Sequence, residues 1–375
     1  MHIAFYAPMK APTHVIPSGD RHIARLLWRA LESKDHTVEL ASSLRAWEGD
    51  GDLDRQESVK QQAESEAMNY LNRINDKSTP DIWFTYHAYH KAPDWIGPRV
   101  SRQLGIPYVV AEASYAAKQV SGHWVKGLEQ TRCCINLADA IINLNNKDVE
   151  GIKQVVSDQG RLHSLKPFID IGEIQSHFEA PSSKHEITRH FHLNPNKVWL
   201  VTVAMMRPGD KLASFKILAD AMQQIDYEDC QLIVIGDGKA WGGVEQAFAG
   251  TPQDSVHFIG QLEHSVLLPL LTTCDLFVWP AVNEAYGMAM LEAQACGLPV
   301  VAGAYGGVSS IIDDGVTGTL TKPGDPLEFA QVIRDLIDNP TKVKEMSTAA
   351  KTNVAMHHSL ESAAIRLDDI LCQLV

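Results

Sequence analysis

The sequence predicts an α/β fold built as two doubly wound domains, and three observations carry that prediction. The chain has 375 residues, enough for two ordinary domains that each bury a core. Short apolar runs alternate with amphipathic helical patterns, the signature of parallel strands joined by crossover helices. That plan is laid out twice, with a polar stretch from Ser176 to His190 between the halves.

Composition narrows the class. A content of 45% hydrophobic and 21% charged residues is that of a folded globular chain, and no run of about 18 apolar residues is present to cross a bilayer. Residues Met1 to Pro8 lack a basic segment and a long apolar core, so they read as a first strand rather than a signal peptide, and the expected location is the cytoplasm. The six cysteines form no Cys-x-x-Cys pair and sit mostly in apolar context, which predicts reduced core residues and no zinc site. The net charge of −13 is uneven: residues 1–170 carry 20 Lys and Arg against 21 Asp and Glu, residues 171–375 carry 13 against 25. A nucleic-acid binder has the opposite bias, so that class is set aside.

In the first half, His2 to Ala7, Thr37 to Ala41, Ile82 to Tyr86, Tyr108 to Ala111 and Ala140 to Leu144 read as strands. After the first, Pro17-Ser18-Gly19-Asp20 breaks the chain, and a helix with apolar Ile23, Leu26, Leu27, Ala30 and Leu31 follows. A loop at a strand's carboxyl end just ahead of a helix is where such sheets bind ligands. Arg21, Arg25 and Arg29 form a stripe on that helix, either a solvated face or a contact for an anionic acceptor or lipid headgroup. With this half near neutral, membrane association is peripheral at most. Asp50 and Asp52 have the spacing of a metal-holding Asp-x-Asp, but they lie in an acidic loop with no strand behind it and read as solvated. The strand from Ile82 runs into Tyr86-His87-Ala88-Tyr89-His90, an aromatic and imidazole rim that suits either sugar hydroxyls or structural packing. The next strand ends in Glu112-Ala113-Ser114-Tyr115.

Near Lys166 to Asp170 the chain leaves the first sheet. The second opens with Val198 to Ala204 and a loop holding Arg207 and Lys211, ahead of a helix from about Leu212. Two cations at the carboxyl edge of a sheet are either a surface salt-bridging pair or a clamp for a diphosphate. Gln231 to Ile235 and Val256 to Gly260 are the next strands, followed by Asp275 to Trp279 and Val300 to Gly303; beyond Pro326 the chain is helical to its end. From Pro280 to Leu298 the chain closes a strand, turns at Gly287 and opens a helix from Met288 to Cys296, stopped by Gly297 and Pro299. Glu284 falls in the turn and Glu292 in the second turn of the helix. Both are either solvated, or set beside the free N–H groups of a helix start, where a phosphate is held.

The block from Asp275 to Asp325 closely resembles the nucleotide-sugar site of retaining glycosyltransferases of family four, the glycosyltransferase group 1. Their pattern is a pair of Glu eight apart around Phe-Gly or Tyr-Gly, then Ala-x-Gly-x-Pro-Val and a Gly-Gly turn. Here Glu284 and Glu292 flank Tyr286-Gly287, Ala295 to Val300 follow, and Tyr305-Gly306-Gly307 form the turn and open a helix. The resemblance implies a GT-B fold: two Rossmann-like domains facing across a cleft, an acceptor-side domain over residues 1–170 and a donor domain over 171–357. A C-terminal helix of about 358–375 crosses back to the first. It implies transfer of a sugar from a nucleoside-diphosphate sugar, as co-substrate, to a hydroxyl acceptor such as a glycan, a lipid-linked sugar or a small molecule, without a metal or other cofactor. Glu284, Arg207 and Lys211 would be catalytic. Glu292, Ala285, Tyr286, Gly287, Met288, Gly19, Gly236, Gly260, Gln261 and Leu262 would hold the donor. His87, His90, Glu112, Ser114, Tyr115 and Arg21 are the acceptor-side candidates. The chain departs from the family in having Ser18-Gly19 for a Gly-Gly pair and Ala113 or Ser114 where a His is common. The same residues leave open a non-catalytic sugar-nucleotide-binding subunit or another GT-B reaction, such as nucleotide-sugar epimerisation.

Overall fold

Parallel pairing organises both halves of the chain. The computed structural model describes residues 1–16, 18–75, 78–177, 184–252 and 254–375; Pro17 of the first loop and residues 178–183 of the polar stretch lie outside the described residues. Two compact units divide the chain, Met1–Lys166 with Leu360–Val375, and Pro167–Ser359. Residues 167–170 go with the second unit because Ile169 N–H donates to the His358 carbonyl at 2.9 Å and pairs with Ser359 as an isolated bridge.

The first unit runs β1 (His2–Tyr6), α1 (Gly19–Glu32), β2 (Thr37–Ser42), α2 (Leu53–Arg73), β3 (Ile82–Ala88), α3 (Gly97–Leu104), β4 (Tyr108–Ala113), α4 (Val125–Leu137), β5 (Ala140–Asn143), α5 (Asn146–Lys153) and β6 (Leu162–Ser164). Its strands pair in parallel in the order β2-β1-β3-β4-β5-β6. From β1 the chain winds outward to β2, then returns past β1 to β3 and continues the other way. The carboxyl ends of β1 and β3 therefore flank the point where winding reverses, the place where loops part and leave room for a ligand. Central strands covered on both faces read as unbroken apolar runs, and β4 is buried along its whole length.

The second unit runs α6 (Ile171–Ser176), α7 (Lys184–Phe191), β7 (Val198–Val203), α8 (Asp210–Met222), β8 (Cys230–Ile235), α9 (Trp241–Ala247), β9 (Val256–Gly260), α10 (His264–Leu271), β10 (Leu276–Trp279), α11 (Met288–Cys296), β11 (Val300–Gly303), β12 (Gly318–Thr321), α12 (Pro326–Ile337) and α13 (Pro340–His357). Its order is β12-β11-β10-β7-β8-β9, again all parallel, so winding reverses between β7 and β10. The last helix, α14 (Leu360–Leu371), belongs to the first unit: it packs on α1, and its Asp368 lies 3.1 Å from Nε2 of buried His36.

Three findings differ from the sequence expectation. β6 and β12 are additional edge strands, too short and too mixed in composition to register as apolar runs. β3 and β4 each continue two residues further than their apolar runs, and they do so through His87 and Glu112 in left-handed backbone, at φ 61° and 58°. The expected helix after Gly306-Gly307 is a single 3-10 turn, Val308–Ser310.

A buried carboxylate sets the geometry of β3, β4 and α3 together. Oδ1 of Asp94 accepts from Ile96 N–H and Gly97 N–H at 2.8 Å, and Oδ2 accepts from Thr85 Oγ1 at 2.6 Å and Tyr108 Oη at 3.0 Å. Trp83 Nε1 donates to Thr85 Oγ1 at 2.9 Å, extending the network into the core. Asp94→Ala strands four donors at once, and it is expected to lower the unfolding free energy by about 3 kcal/mol in urea titrations, against less than about 1 kcal/mol for an exposed control such as Asp54→Ala.

Candidate functional site

In the second unit the reversal between β7 and β10 brings two loops together. After β7, Arg207 stays in the loop and is exposed, while Gly209 at φ 85° starts α8 two residues earlier than the sequence suggests. Lys211 is therefore in the first turn of α8 rather than in the loop, which fixes its stem. After β10 the chain turns through Ala281 and Asn283, both left-handed at φ 57° and 50°. The turn is held by Val282 N–H to Ser214 Oγ at 2.9 Å, Asn283 Nδ2 to Asp210 Oδ1 at 3.1 Å and Glu284 N–H to the Ala281 carbonyl at 3.1 Å. Strained non-glycine backbone persists where the surroundings over-determine it, as these three bonds do.

The result is an ion pair between Lys211 Nζ and Glu284 Oε2, with side chains 22% and 17% exposed. Trp279 Nε1 donates to the same carboxylate oxygen at 3.3 Å, and the ammonium lies 5.4 Å from the Trp279 ring centroid. Beyond Glu284 the chain passes through Ala285 and Tyr286 to Gly287, the N-cap of α11 at φ 71°, with Met288 as the first helical residue. A Cβ at Gly287 would meet only the side-chain ends of Met290 and Ile311, so it is the left-handed φ that calls for glycine. No side chain caps α11, and its first N–H groups remain available to an anion. Glu292, 15% exposed, projects from the second turn with His264 Nε2 4.0 Å away, and burial pushes its carboxyl group above the usual range.

The other donor-side residues divide by what surrounds them. Gly236 packs so closely on the Ala204 carbonyl oxygen that no Cβ fits, and its N–H donates to the Gly260 carbonyl at 2.9 Å. Gly260, at φ 82° and the end of β9, has open space where a Cβ would stand, and Gln261 and Leu262 follow it into the loop. Gly19 is the first residue of α1 rather than part of a free loop, again with open space at its Cβ. Ser18 is the N-cap of that helix, accepting from Arg21 N–H at 3.2 Å, which accounts for a serine there.

In the first unit the reversal between β1 and β3 brings Asp20, at the start of α1, to His87, at the end of β3. Asp20 Oδ1 lies 2.8 Å from His87 Nδ1, and Tyr89 stacks on the imidazole at 5.0 Å between centroids. Burial alone would depress His87, but the Glu112 charge, the Asp20 hydrogen bond and the charges of Asp20 and Asp148 hold it above its ordinary value. Glu112 is buried, its Oε2 finds no hydrogen-bond partner among the described residues, and burial pushes the carboxyl group up to about 7 against the pull of His87 and Tyr86. Asp20 was not among the residues that the sequence singled out; its spacing from His87 carries no local signal.

The remaining acceptor-side candidates are less alike. Arg21 donates to the His14 and Val15 carbonyl oxygens at 2.8 and 3.2 Å, and Arg25 Nε to the Pro12 carbonyl at 2.7 Å, so these two arginines brace the loop after β1, Arg25 while remaining exposed. His90 packs edge-on to Trp124 at 5.9 Å, and burial with neighbouring Lys91 and Lys118 depresses it. Ser114 N–H donates to the Ala88 carbonyl at 3.1 Å, and the Tyr115 carbonyl abuts Gly151. Asp52 is the N-cap of α2 and Asp50 pairs with Arg55 at 3.3 Å, a structural use of the Asp-x-Asp. Among the described residues no group of three or more His, Cys, Asp or Glu is placed to hold a metal ion, and no helix is long and apolar enough to cross a membrane.

Residues 199–353 match the family described as glycosyl transferases group 1. The chain is 30% identical over 282 residues to alpha-D-kanosaminyltransferase of Streptomyces kanamyceticus, covering 72% of each. It is 25% identical over 244 residues to D-inositol 3-phosphate glycosyltransferase 2 of Catenulispora acidiphila, and that match spans 62% of this chain but only 56% of the relative. Among solved structures, Anabaena Alr3699/HepE in complex with UDP-glucose superposes with a TM-score of 0.70 at 18% identity over the whole of both chains. That likeness shows the fold, GT-B.

The buried Glu112 gives a stability signature. A carboxyl group whose folded pKa is raised to about 7 contributes stability that is complete below its ordinary value of 4.5 and lost as pH rises through about 7. Glu112→Gln is expected to remove that loss, gaining about 3 kcal/mol relative to wild type between pH 4.5 and 8 in urea titrations; parallel curves for the two proteins would show that no buried charge is formed.

Proposed function

The chain belongs to the group 1 glycosyl transferases, and from that premise we propose that it moves a sugar from a nucleoside-diphosphate sugar to a hydroxyl acceptor with retention of anomeric configuration. The observation that carries the reading is the Lys211–Glu284 pair set ahead of the uncapped start of α11. Together they would offer a cation and free N–H groups to a leaving diphosphate that gathers charge, and a carboxylate to sugar hydroxyls and a positive anomeric centre.

Negative charge grows on the diphosphate as the glycosidic bond stretches. Preorganised positive potential at that point stabilises the transition state more than the ground state. Arg207 and Lys211 would supply it together with the N–H groups of Tyr286, Gly287 and Met288, so that no metal or other cofactor is required of the protein. Arg207 is exposed and reaches by its planar fork, while Lys211 is held at the helix start as a point charge. Glu292 would accept from the ribose hydroxyls, since one carboxylate takes two donors. Glu284 would bind hydroxyls of the transferred sugar and steady the oxocarbenium-like centre, with the acceptor attacking on the face the diphosphate leaves. Gly260, left-handed at φ 82° and with open space where a Cβ would stand, would let backbone approach the base.

UDP-glucose and GDP-mannose are the probes for a first screen: UDP and GDP by thermal shift, then the nucleotide sugars with D-inositol 3-phosphate, simple glycosides and water as acceptors. One nucleoside diphosphate is expected to raise Tm, and the matching nucleotide sugar to turn over. Arg207→Ala is expected to lower kcat/KM by roughly 30- to 1,000-fold, about 2–4 kcal/mol of transition-state stabilisation. A shift in Tm with no transfer and no hydrolysis would instead identify a binding subunit, and unchanged transfer in Glu292→Ala would overturn the assignment of the donor site.

A further inference from the structure

Resting on the glycosyl-transfer reading, we propose that His264 is a specificity-determining residue of the donor site: its imidazole and the Glu292 carboxyl group hold one ribose hydroxyl between them, so that a ribonucleoside diphosphate is taken and its deoxy counterpart refused. All the residues concerned lie in the second unit. α10 and α11 both follow strands of the parallel sheet, so both start at its carboxyl edge, and they pack on one another. One turn in, their interface is closed and apolar: Leu268 is buried, and Cys296 Sγ donates to its carbonyl at 3.9 Å. Four residues earlier on each helix, and so on the same rows, stand His264 and Glu292, with Nε2 4.0 Å from Oε1. The polar pair thus forms the rim of an apolar helix contact, two residues beyond the loop of Gly260, Gln261 and Leu262.

The separation carries the inference. At 4.0 Å the two groups are too far apart for a direct hydrogen bond, and among the described residues neither makes one elsewhere. A hydroxyl oxygen about 2.7 Å from the carboxylate and about 2.9 Å from the imidazole closes that gap as a bent bridge. It has one proton to give Oε1 and lone pairs to accept from Nε2–H. A bare carbon in its place would leave both groups unsatisfied. His264 keeps 48% of its side chain exposed, open to a ligand, whereas Glu292 stands between fully buried Leu291 and Ala293 and is held in place by them.

Charge strengthens the grip. Burial pushes the Glu292 carboxyl group up, the His264 charge pulls it back, and the charge of Glu173 from α6 adds to the rise. Cys296 of the same helix is also near, with Lys351 of α13 acting on that thiol. A cation at His264 therefore keeps Glu292 ionised further into acid, and an ionised carboxylate binds a hydroxyl more strongly than a protonated one. Without that cation Glu292 takes its proton at higher pH.

Calorimetric titration with UDP and GDP, and with the 2′-deoxy and 3′-deoxy forms of each, tests this without any turnover. For the nucleotide that wild type binds, removal of the bridged hydroxyl is expected to weaken affinity by about 10- to 100-fold. In His264→Ala the ribonucleotide is expected to bind about 5- to 20-fold more weakly and the deoxy form to change by less than about twofold, so the preference shrinks. His264→Gln keeps a donor but no charge; it is expected to retain much of the preference near about pH 8 and to lose it on acidification at a higher pH than wild type does. A ribo-to-deoxy preference equal in folded His264→Ala and wild type at every pH would overturn the proposal and leave the transferase reading standing. Should His264→Ala not fold, a wild type that binds the ribonucleotide and both deoxy forms equally overturns it as surely. Wild-type protein that binds neither UDP nor GDP would overturn the donor-site reading, and the role of His264 with it.

Discussion

Lys211 and Glu284 stand 73 positions apart, and the reversal of strand order between β7 and β10 is what brings them into hydrogen-bonding range. Everything else in that corner of the second unit serves the pair. Gly209 starts α8 early enough to hold Lys211 by its backbone, and Ser214 and Asp210 of the same helix bind the turn that carries Glu284. Trp279, the last residue of β10, supplies both an N–H for the carboxylate and a ring face for the ammonium. A half-buried ion pair is a weak source of net stability, because desolvation offsets most of the attraction. Its retention across two loops and a helix is better understood as positioning.

The first unit repeats the device with different chemistry. There the reversal falls between β1 and β3, and the pair across it is Asp20 with His87. In both sheets a side chain from the start of the first crossover helix meets one from the end of the strand beyond the reversal. The parallel follows from topology alone: an open parallel sheet offers one such position, and loops on either side of it diverge.

Much of this could be read in the sequence, for identifiable reasons. Central strands such as Val198–Val203 and Tyr108–Ala113 are buried on both faces and so announce themselves as apolar runs. The helix at Met288–Cys296 is bounded by Gly287 and Gly297, both left-handed, and its limits were legible to the residue. Edge strands Leu162–Ser164 and Gly318–Thr321 were not, since one half-exposed flank leaves no apolar run. Of the site, Glu284, Glu292, Arg207 and Lys211 stood out through their pattern, although Lys211 proved helical. The stripe of Arg21, Arg25 and Arg29 was legible as a polar face, and Arg25 and Arg29 are exposed on it, but periodicity cannot see the Pro12, His14 and Val15 carbonyl oxygens that Arg21 and Arg25 bind. Asp20 and the left-handed turns at His87 and Glu112 were invisible for a deeper reason. Non-glycine residues leave no trace of positive φ, and a contact spanning 67 positions has no local spacing.

Mutual neutralisation of Lys211 and Glu284 would make the proposed donor site a lock needing two keys. A lone inorganic anion can satisfy the ammonium only by setting free a carboxylate that is 17% exposed, and a neutral sugar can satisfy the carboxylate only by setting free the ammonium. Either exchange leaves an uncompensated, largely desolvated charge, which is a substantial penalty. Only a molecule carrying anionic oxygens at one end and hydroxyls at the other compensates both. On the proposed function, discrimination against the abundant fragments of such a molecule would lie in the resting contact itself, before any part of the protein moves.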